Sequence, residues 1–219
     1  TEDHRPVSDA IAQVKLLDRD DGEELQRAEL YGLLARLWHA PPDAALLEQF
    51  AVAVTEAPQP GSFLESPWQD LVAALRASSV KEATEEYEAL FVGIGKPDIL
   101  LYGSHHLAGA LNEKPLVALR ADVAEFGLAR DAAVETSGET EDHVAFVFEV
   151  MRYLIAGDDI AVCNLERQRR FFREHIQPWV GSSLADAVEQ HARAKVYTAL
   201  AAFTRAFVQV ETQGFDMIE

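Results

Sequence analysis

The chain has 219 residues, 48% hydrophobic and 26% charged, enough apolar material to bury one sizeable core in a single domain. Its 37 acidic and 19 basic side chains leave a formal charge of -18, which opposes binding to nucleic acid or anionic lipid and favours cationic partners. No apolar run reaches the ~18 to 20 residues that span a bilayer, and no basic segment leads into an apolar one at the start, so the sequence reads as cytoplasmic without a membrane span.

Residues 1–8 are polar, contain Pro6 and lack an initiator methionine, so they read as a flexible or trimmed N-terminus. The domain proper is expected over 9–219. A short helix is expected over residues 9–17 and a firmer one over 23–39, where Leu30, Leu33, Leu34, Leu37 and Trp38 form an apolar stripe that Pro41-Pro42 stops. Pro42 suits the first turn of a following helix that runs to about residue 56, and 57–62 is a loop rich in Pro and Gly. Ser66-Pro67 reads as N-cap and first-turn proline of a helix to Ala77, and Ser79 with Glu82 reads as the capping box of another that ends near Val92.

Over residues 93–109 the glycines Gly93, Gly95, Gly103 and Gly109, with Pro97, break helical periodicity, so this is expected to be a long, hinge-like loop. Pro115 restarts a helix that Gly127 ends, and 129–138 is a connector. Glu139-Thr140-Glu141-Asp142-His143 then opens an apolar helix in which Val144, Val147, Met151, Leu154 and Ile155 share one face. Acids on a first turn are favoured by the unpaired N–H groups and the dipole there, so capping alone accounts for them equally well. A helix is expected to begin at Asp158-Asp159, include Cys163 as a small core residue, and close with Arg167, Arg169, Arg170 and Arg173. Residues 175–181 form a turn. Ser183 and Asp186 are expected to cap a long final helix with a buried seam of Val196, Leu200, Phe203, Phe207 and Val210. No strand pattern competes. The expectation is an all-α single globular domain of roughly eight to ten helices.

Several chemistries lack their residues. The one Gly-Lys pair, Gly95-Lys96, precedes proline and makes no P-loop. None of the seven histidines has glutamate three positions before it, as a di-iron bundle requires, and no Gly-x-Ser-x-Gly elbow occurs. A single cysteine excludes an internal disulfide and a cysteine metal cage, and adjacent His105 and His106 diverge more often than they chelate. No metal, cofactor or catalytic residue is assigned.

Four features stand in order: Tyr87-x-x-Leu90-Phe91-x-Gly93-x-Gly95, then Tyr102-Gly103-Ser104, then Glu139-Thr140-Glu141-Asp142-His143, then Phe171-Phe172-x-x-His175-x-x-Pro178-Trp179, with Tyr197 beyond. From about Tyr87 to Glu211 this set resembles the TorD/DmsD/NarJ family of redox-enzyme maturation chaperones. The family's helix-start motif commonly has proline where this chain has Thr140, and its loop has proline where this chain has Leu100 and Leu101. Those departures bear on subfamily and client. The resemblance implies an all-helical chaperone, not an enzyme. It would bind the twin-arginine signal peptide, or a related N-terminal segment, of a molybdenum-cofactor oxidoreductase precursor and assist cofactor insertion before export, with molybdenum-cofactor biosynthesis proteins as further partners. The long hinge-like loop leaves both a monomer and a domain-swapped homodimer open.

A leader with a basic stretch followed by an apolar one needs carboxylates beside a hydrophobic groove. Between residues 131 and 166 the only basic residue besides histidine is Arg152, which leaves an acidic surface around Glu139, Glu141 and Asp142. Leu90, Phe91 and Tyr102 are expected to supply the apolar wall, with Ser104 in the same loop and His143 orienting Asp142 or capping the loop. Leu90 and Phe91 serve ordinary core packing just as readily. Tyr87, Gly93, Gly95, His175 and Trp179 read as structural parts of the motif. Two other classes stay open: a nucleotide-dependent cofactor loader using the loop glycines, and a helical adaptor that self-associates through the seam 196–210.

Overall fold

The computed structural model describes residues 22–52, 62–128 and 139–218, and the regular elements among them are helical. Ten α-helices follow one another: α1 (Glu23–His39), α2 (Ala44–Val52), α3 (Glu65–Ala77), α4 (Val80–Tyr87), α5 (Gly103–Ala108), α6 (Lys114–Glu125), α7 (Val144–Ala156), α8 (Leu165–His175), α9 (Ala185–Glu189) and α10 (Val196–Asp216). The chain is an all-α single domain, and none of these helices is long and apolar enough to cross a membrane.

Helices α1, α7 and α10 make the centre. Leu30, Leu33, Leu34 and Leu37 of α1 are buried, and Tyr31 packs its ring 5.8 Å from Phe148 of α7 and 4.9 Å from Phe207 of α10. The His39 and His143 rings, 6.2 Å apart, put the end of α1 beside the start of α7, so these two helices run antiparallel. Each buried leucine or phenylalanine contributes about 1.5–3 kcal/mol by leaving water, and the single continuous core is the sum of many such terms. On the other side of α10, Trp68 of α3 packs 5.3 Å from Phe203, and Phe50 of α2 lies behind it.

Several polar groups inside this core are paired, though Trp68 Nε1 is buried without a hydrogen-bond partner. Arg27 donates two hydrogen bonds of 2.8 Å to the Glu211 carboxylate, Tyr31 Oη donates a third of 2.9 Å, and Trp38 Nε1 donates to Thr204 Oγ1 at 3.1 Å. The start of α10 has no cap of its own. The Glu86 carboxylate of α4 accepts from the N–H groups of Lys195, Val196 and Tyr197 instead, at 2.7, 3.2 and 2.9 Å.

The sequence reading holds for α1, for the Ser79–Glu82 capping box and for Gly127, whose φ of +73° ends the α6 region. Elsewhere the physical details differ. Pro42 precedes α2, whose first turn is capped by Asp43 Oδ1 accepting from Leu46 N–H; Pro67 falls on the third residue of α3, and Ser62 rather than Ser66 bonds the entry. Beyond Tyr87 the backbone widens into one π-helical turn, Glu88–Val92. The expected loop 93–109 contains α5, and Ile99 and Leu101 anchor its non-helical part in the core. Asp158 and Asp159 do not begin a helix; Asn164 caps α8, and Cys163 sits half-buried in the preceding turn, its thiol donating to the Tyr153 carbonyl. Ser183 and Asp186 cap no long helix, because the chain breaks between α9 and α10. Of the expected seam, Val196, Leu200, Phe203 and Phe207 are buried within the chain itself, and Val210 is half-buried. The short helix over 9–17, the loop 57–61 and the connector 129–138 lie outside the described residues.

Candidate functional site

The segment before α5 and the segment before α7 are tied together as one junction. Tyr102 and His143 form an isolated antiparallel bridge, in which Gly103 N–H donates to the Asp142 carbonyl and Val144 N–H to the Leu101 carbonyl, both at 2.8 Å. The Asp142 side chain completes the knot. It accepts from Ser104 N–H at 2.8 Å and from the Ser104 and Thr140 hydroxyls, so one carboxylate holds two chain segments 38 residues apart. An aspartate accepting the first N–H groups of a helix is a capping residue, here supplied from a distance.

His143 occupies the N-cap position of α7, where its Nδ1 accepts from Ala145 N–H at 3.2 Å. The neutral ring therefore carries its proton on Nε2. Burial, followed by the neighbouring His39, depresses the His143 pKa from 6.5 to about 4, against the opposing influence of Asp142. The Tyr102 ring meets the imidazole edge-on at 5.2 Å, and His39, exposed at the end of α1, lies on the same side. Tyr87 Oη donates to the His39 carbonyl at 2.7 Å; its hydroxyl pKa is raised by burial and then by the nearby Glu139 and Tyr102. Glu139, Tyr102, Tyr87 and His39 thus lie around one patch, with His143 as its floor. Glu141 is paired with Arg120 of α6 at 2.9 Å.

The residues expected to form a groove separate into two groups. Glu139, Glu141 and Tyr102 are partly exposed, and His143 lies just beneath them. Asp142 and Ser104 are not surface groups, being 3% and 0% exposed and bonded to each other, so the acidic surface expected to include Asp142 is made without it. The acids also lie in the approach to α7 and not on its first turn, because the helix starts at Val144. Leu90 is fully buried and Phe91 sits among the rings of Trp38, Tyr87 and Tyr197, so both pack in the core instead of walling a groove. Gly93 is structurally required: its φ is +63°, and a Cβ would meet the Lys96 carbonyl oxygen at 2.5 Å. Gly95 has φ +94° with open space around it.

The other motif residues support the junction from behind. Gly103 packs directly on the Trp179 ring, leaving 3.2 Å for any Cβ, and Trp179 Nε1 donates to the His175 carbonyl at 2.7 Å. His106 stacks on Trp179, while its Nε2 donates to the Leu100 carbonyl and its Nδ1 accepts from Ser183. With both nitrogens engaged, His106 does not chelate a metal alongside His105. His175 and Asp122, 2.7 Å apart, join α8 to α6. With Glu174 these two bring possible ligand atoms within 4.8 Å of one another, but Arg170 Nη2 at 3.1 Å from Asp122 already provides the positive charge there. His39 and Arg120 escaped the sequence reading. The one signal for His39 was its place at the helix stop before Pro41-Pro42.

Residues 61–185 match the family model described as nitrate reductase delta subunit, a span that contains the whole junction. No curated protein matches the chain in sequence. A crystal structure from Archaeoglobus fulgidus, provisionally described as a redox enzyme maturation protein, is similar at a TM-score of 0.49 and 16% identity, over 90% of this chain and 99% of that one. The family match covers more than half of the sequence, and the chain belongs to the nitrate reductase delta subunit family, the NarJ/TorD type of redox-enzyme maturation chaperone.

Proposed function

We propose that the chain binds the twin-arginine signal peptide, or an equivalent N-terminal segment, of a molybdenum-cofactor oxidoreductase precursor in the cytoplasm and holds it until the cofactor is inserted. The role is binding, with no covalent step. The observation that carries this reading is the partly exposed Glu139 carboxylate beside Tyr87, on a junction that also carries the rings of Tyr102 and His39 and, two residues along the chain, the partly exposed Glu141. Guanidinium groups pair bidentately with carboxylates and stack on aromatic faces, and both partners are present at this patch. The Arg120–Glu141 pair is half-exposed on its arginine side, and such a surface pair contributes only about 0–1 kcal/mol, so an incoming arginine displaces Arg120 at little cost.

The apolar part of the leader finds a different wall from Leu90 and Phe91. Arg120 lies one turn beyond Val117 on α6, and Val117, Leu107 and Leu111 are exposed along the α5–α6 hairpin. A leader whose arginines meet Glu139 and Glu141 can lay its apolar segment along these three side chains. Asp142 acts here as a positioning residue, and His143, neutral at physiological pH, offers its Nε2–H as the donor at the floor. Calorimetric titration with a peptide carrying paired arginines and an apolar run tests the reading. Binding that weakens with salt, and weakens again in Glu139→Gln/Glu141→Gln and in Val117→Asp, supports it. Equal affinity in all of these variants removes the site.

A further inference from the structure

The acids before α7 have a cation brought to them by the fold. Over residues 131–166 the only basic residue besides histidine is Arg152, yet α6 delivers Arg120 to Glu141 from 21 residues away. Arg120 Nε and Nη2 both lie 2.9 Å from the same oxygen, Glu141 Oε2. That contact lacks the two-oxygen fork by which Arg27 holds Glu211, the stronger way for a guanidinium to meet a carboxylate. The exposures of the two side chains decide how a ligand gets in. Arg120 is 51% exposed and Glu141 only 13%. With so little of the carboxylate open, another guanidinium reaches it by taking the place of Arg120 and not by sitting beside it.

Helix α6 is anchored by the buried Leu116, Leu119 and Val123, so the Arg120 side chain can swing away while its helix stays in place. Its tether keeps the guanidinium at high effective concentration beside Glu141, where it meets any incoming arginine with the same chemistry. We infer that Arg120 is an internal competitor of the leader: it holds Glu141 whenever the leader does not, lowers the affinity for an arginine-bearing ligand, and retakes the carboxylate on release. The inference rests on the reading of Glu139 and Glu141 as the groups that bind the leader's arginines. A surface pair of this strength leaves its carboxylate open about 15–50% of the time. The apparent dissociation constant is the intrinsic one divided by that open fraction, which makes the wild-type affinity about 2- to 6-fold weaker than that of the uncontested site.

Calorimetric titration of the full chain with the paired-arginine peptide tests the assignment. Arg120→Gln is expected to bind it about 2- to 6-fold more tightly than wild type. Arg120→Lys, which keeps the charge but loses the two-nitrogen edge, is expected to fall between them. The gain from Arg120→Gln is expected to disappear when both proteins compared also carry Glu141→Gln, because neither guanidinium then has that carboxylate to contest. Thermal melts check that each variant is folded. An Arg120→Gln protein that binds no more tightly than wild type overturns the inference. So does an equal gain in the Glu141→Gln background, which reduces Arg120 to a distant repelling charge. In both of those results wild type still binds the peptide and the leader-binding reading stands, whereas a wild type that binds no peptide removes that reading and this inference together.

Discussion

Asp142→Ala probes the knot that holds the junction. In the folded chain the Asp142 carboxylate accepts from Ser104 N–H, from Ser104 Oγ–H and from Thr140 Oγ–H, while its residue is 3% exposed and Ser104 is 0% exposed. Truncation leaves two Ser104 donors buried without an acceptor, each costing about 1–3 kcal/mol, while the half-exposed Thr140 hydroxyl recovers water. Allowing the Ser104 hydroxyl to rotate toward another acceptor, a net loss of about 3 kcal/mol results. For a domain of this size that lowers Tm by about 6–12 °C. Asp142→Asn keeps an acceptor for Ser104 N–H and can donate to Thr140 Oγ, so about 1 kcal/mol is expected. Urea denaturation followed by circular dichroism measures both. An Asp142→Ala protein within about 0.5 kcal/mol of wild type refutes the positioning role, and loss of peptide binding without loss of stability would make Asp142 a direct contact.

Other consequences are equally concrete. Glu86→Ala removes the carboxylate that accepts from three N–H groups at the start of α10, and by analogy with ordinary N-cap losses costs about 1–2 kcal/mol in a denaturant titration. Gly93→Ala forces a side chain into a φ of +63° against the Lys96 carbonyl and should destabilise the chain clearly more than Gly95→Ala, where space is open; thermal melts of the two variants compare them. His143, with a folded-state pKa of about 4 against 6.5, leaves the unfolded chain to take up the proton first. Its contribution is complete above pH 6.5 and is lost as pH falls toward 4, at up to about 1.4 kcal/mol per pH unit. His143→Asn, which can still cap α7, should flatten stability over that window, and an imidazole NMR titration with a midpoint above pH 6 would contradict the assignment.

What could be read in the sequence was local. Helix α1 announced itself by its leucine stripe and the prolines after it, and the Ser79–Glu82 box by two residues three apart. Two of the misread boundaries, the starts of α5 and α10, were set by partners distant in sequence. Asp142 starts α5 inside a glycine-rich stretch from 38 residues away, and Glu86 starts α10 from more than a hundred, so neither cap leaves a signature near the helix it begins. Ser183 and Asp186 supplied a capping pattern at the wrong place, because the chain breaks again before Val196. The site divided in the same way. Acid residues in a row predicted an acidic surface, but the direction of each side chain depended on the Tyr102–His143 bridge, which turns Asp142 inward and leaves Glu139 and Glu141 partly exposed. Spacing alone could not show that Leu90 and Phe91 face the core while Val117 and Leu111 do not.

Titration of Glu139→Gln/Glu141→Gln with a paired-arginine leader peptide, alongside a peptide in which both arginines are replaced by glutamine, reports most directly on the central claim. The account predicts a wild-type affinity that falls about 10- to 100-fold in the double variant, and a glutamine peptide that binds both proteins equally weakly. If the arginine peptide binds the double variant as tightly as wild type, arginine recognition at this junction is contradicted.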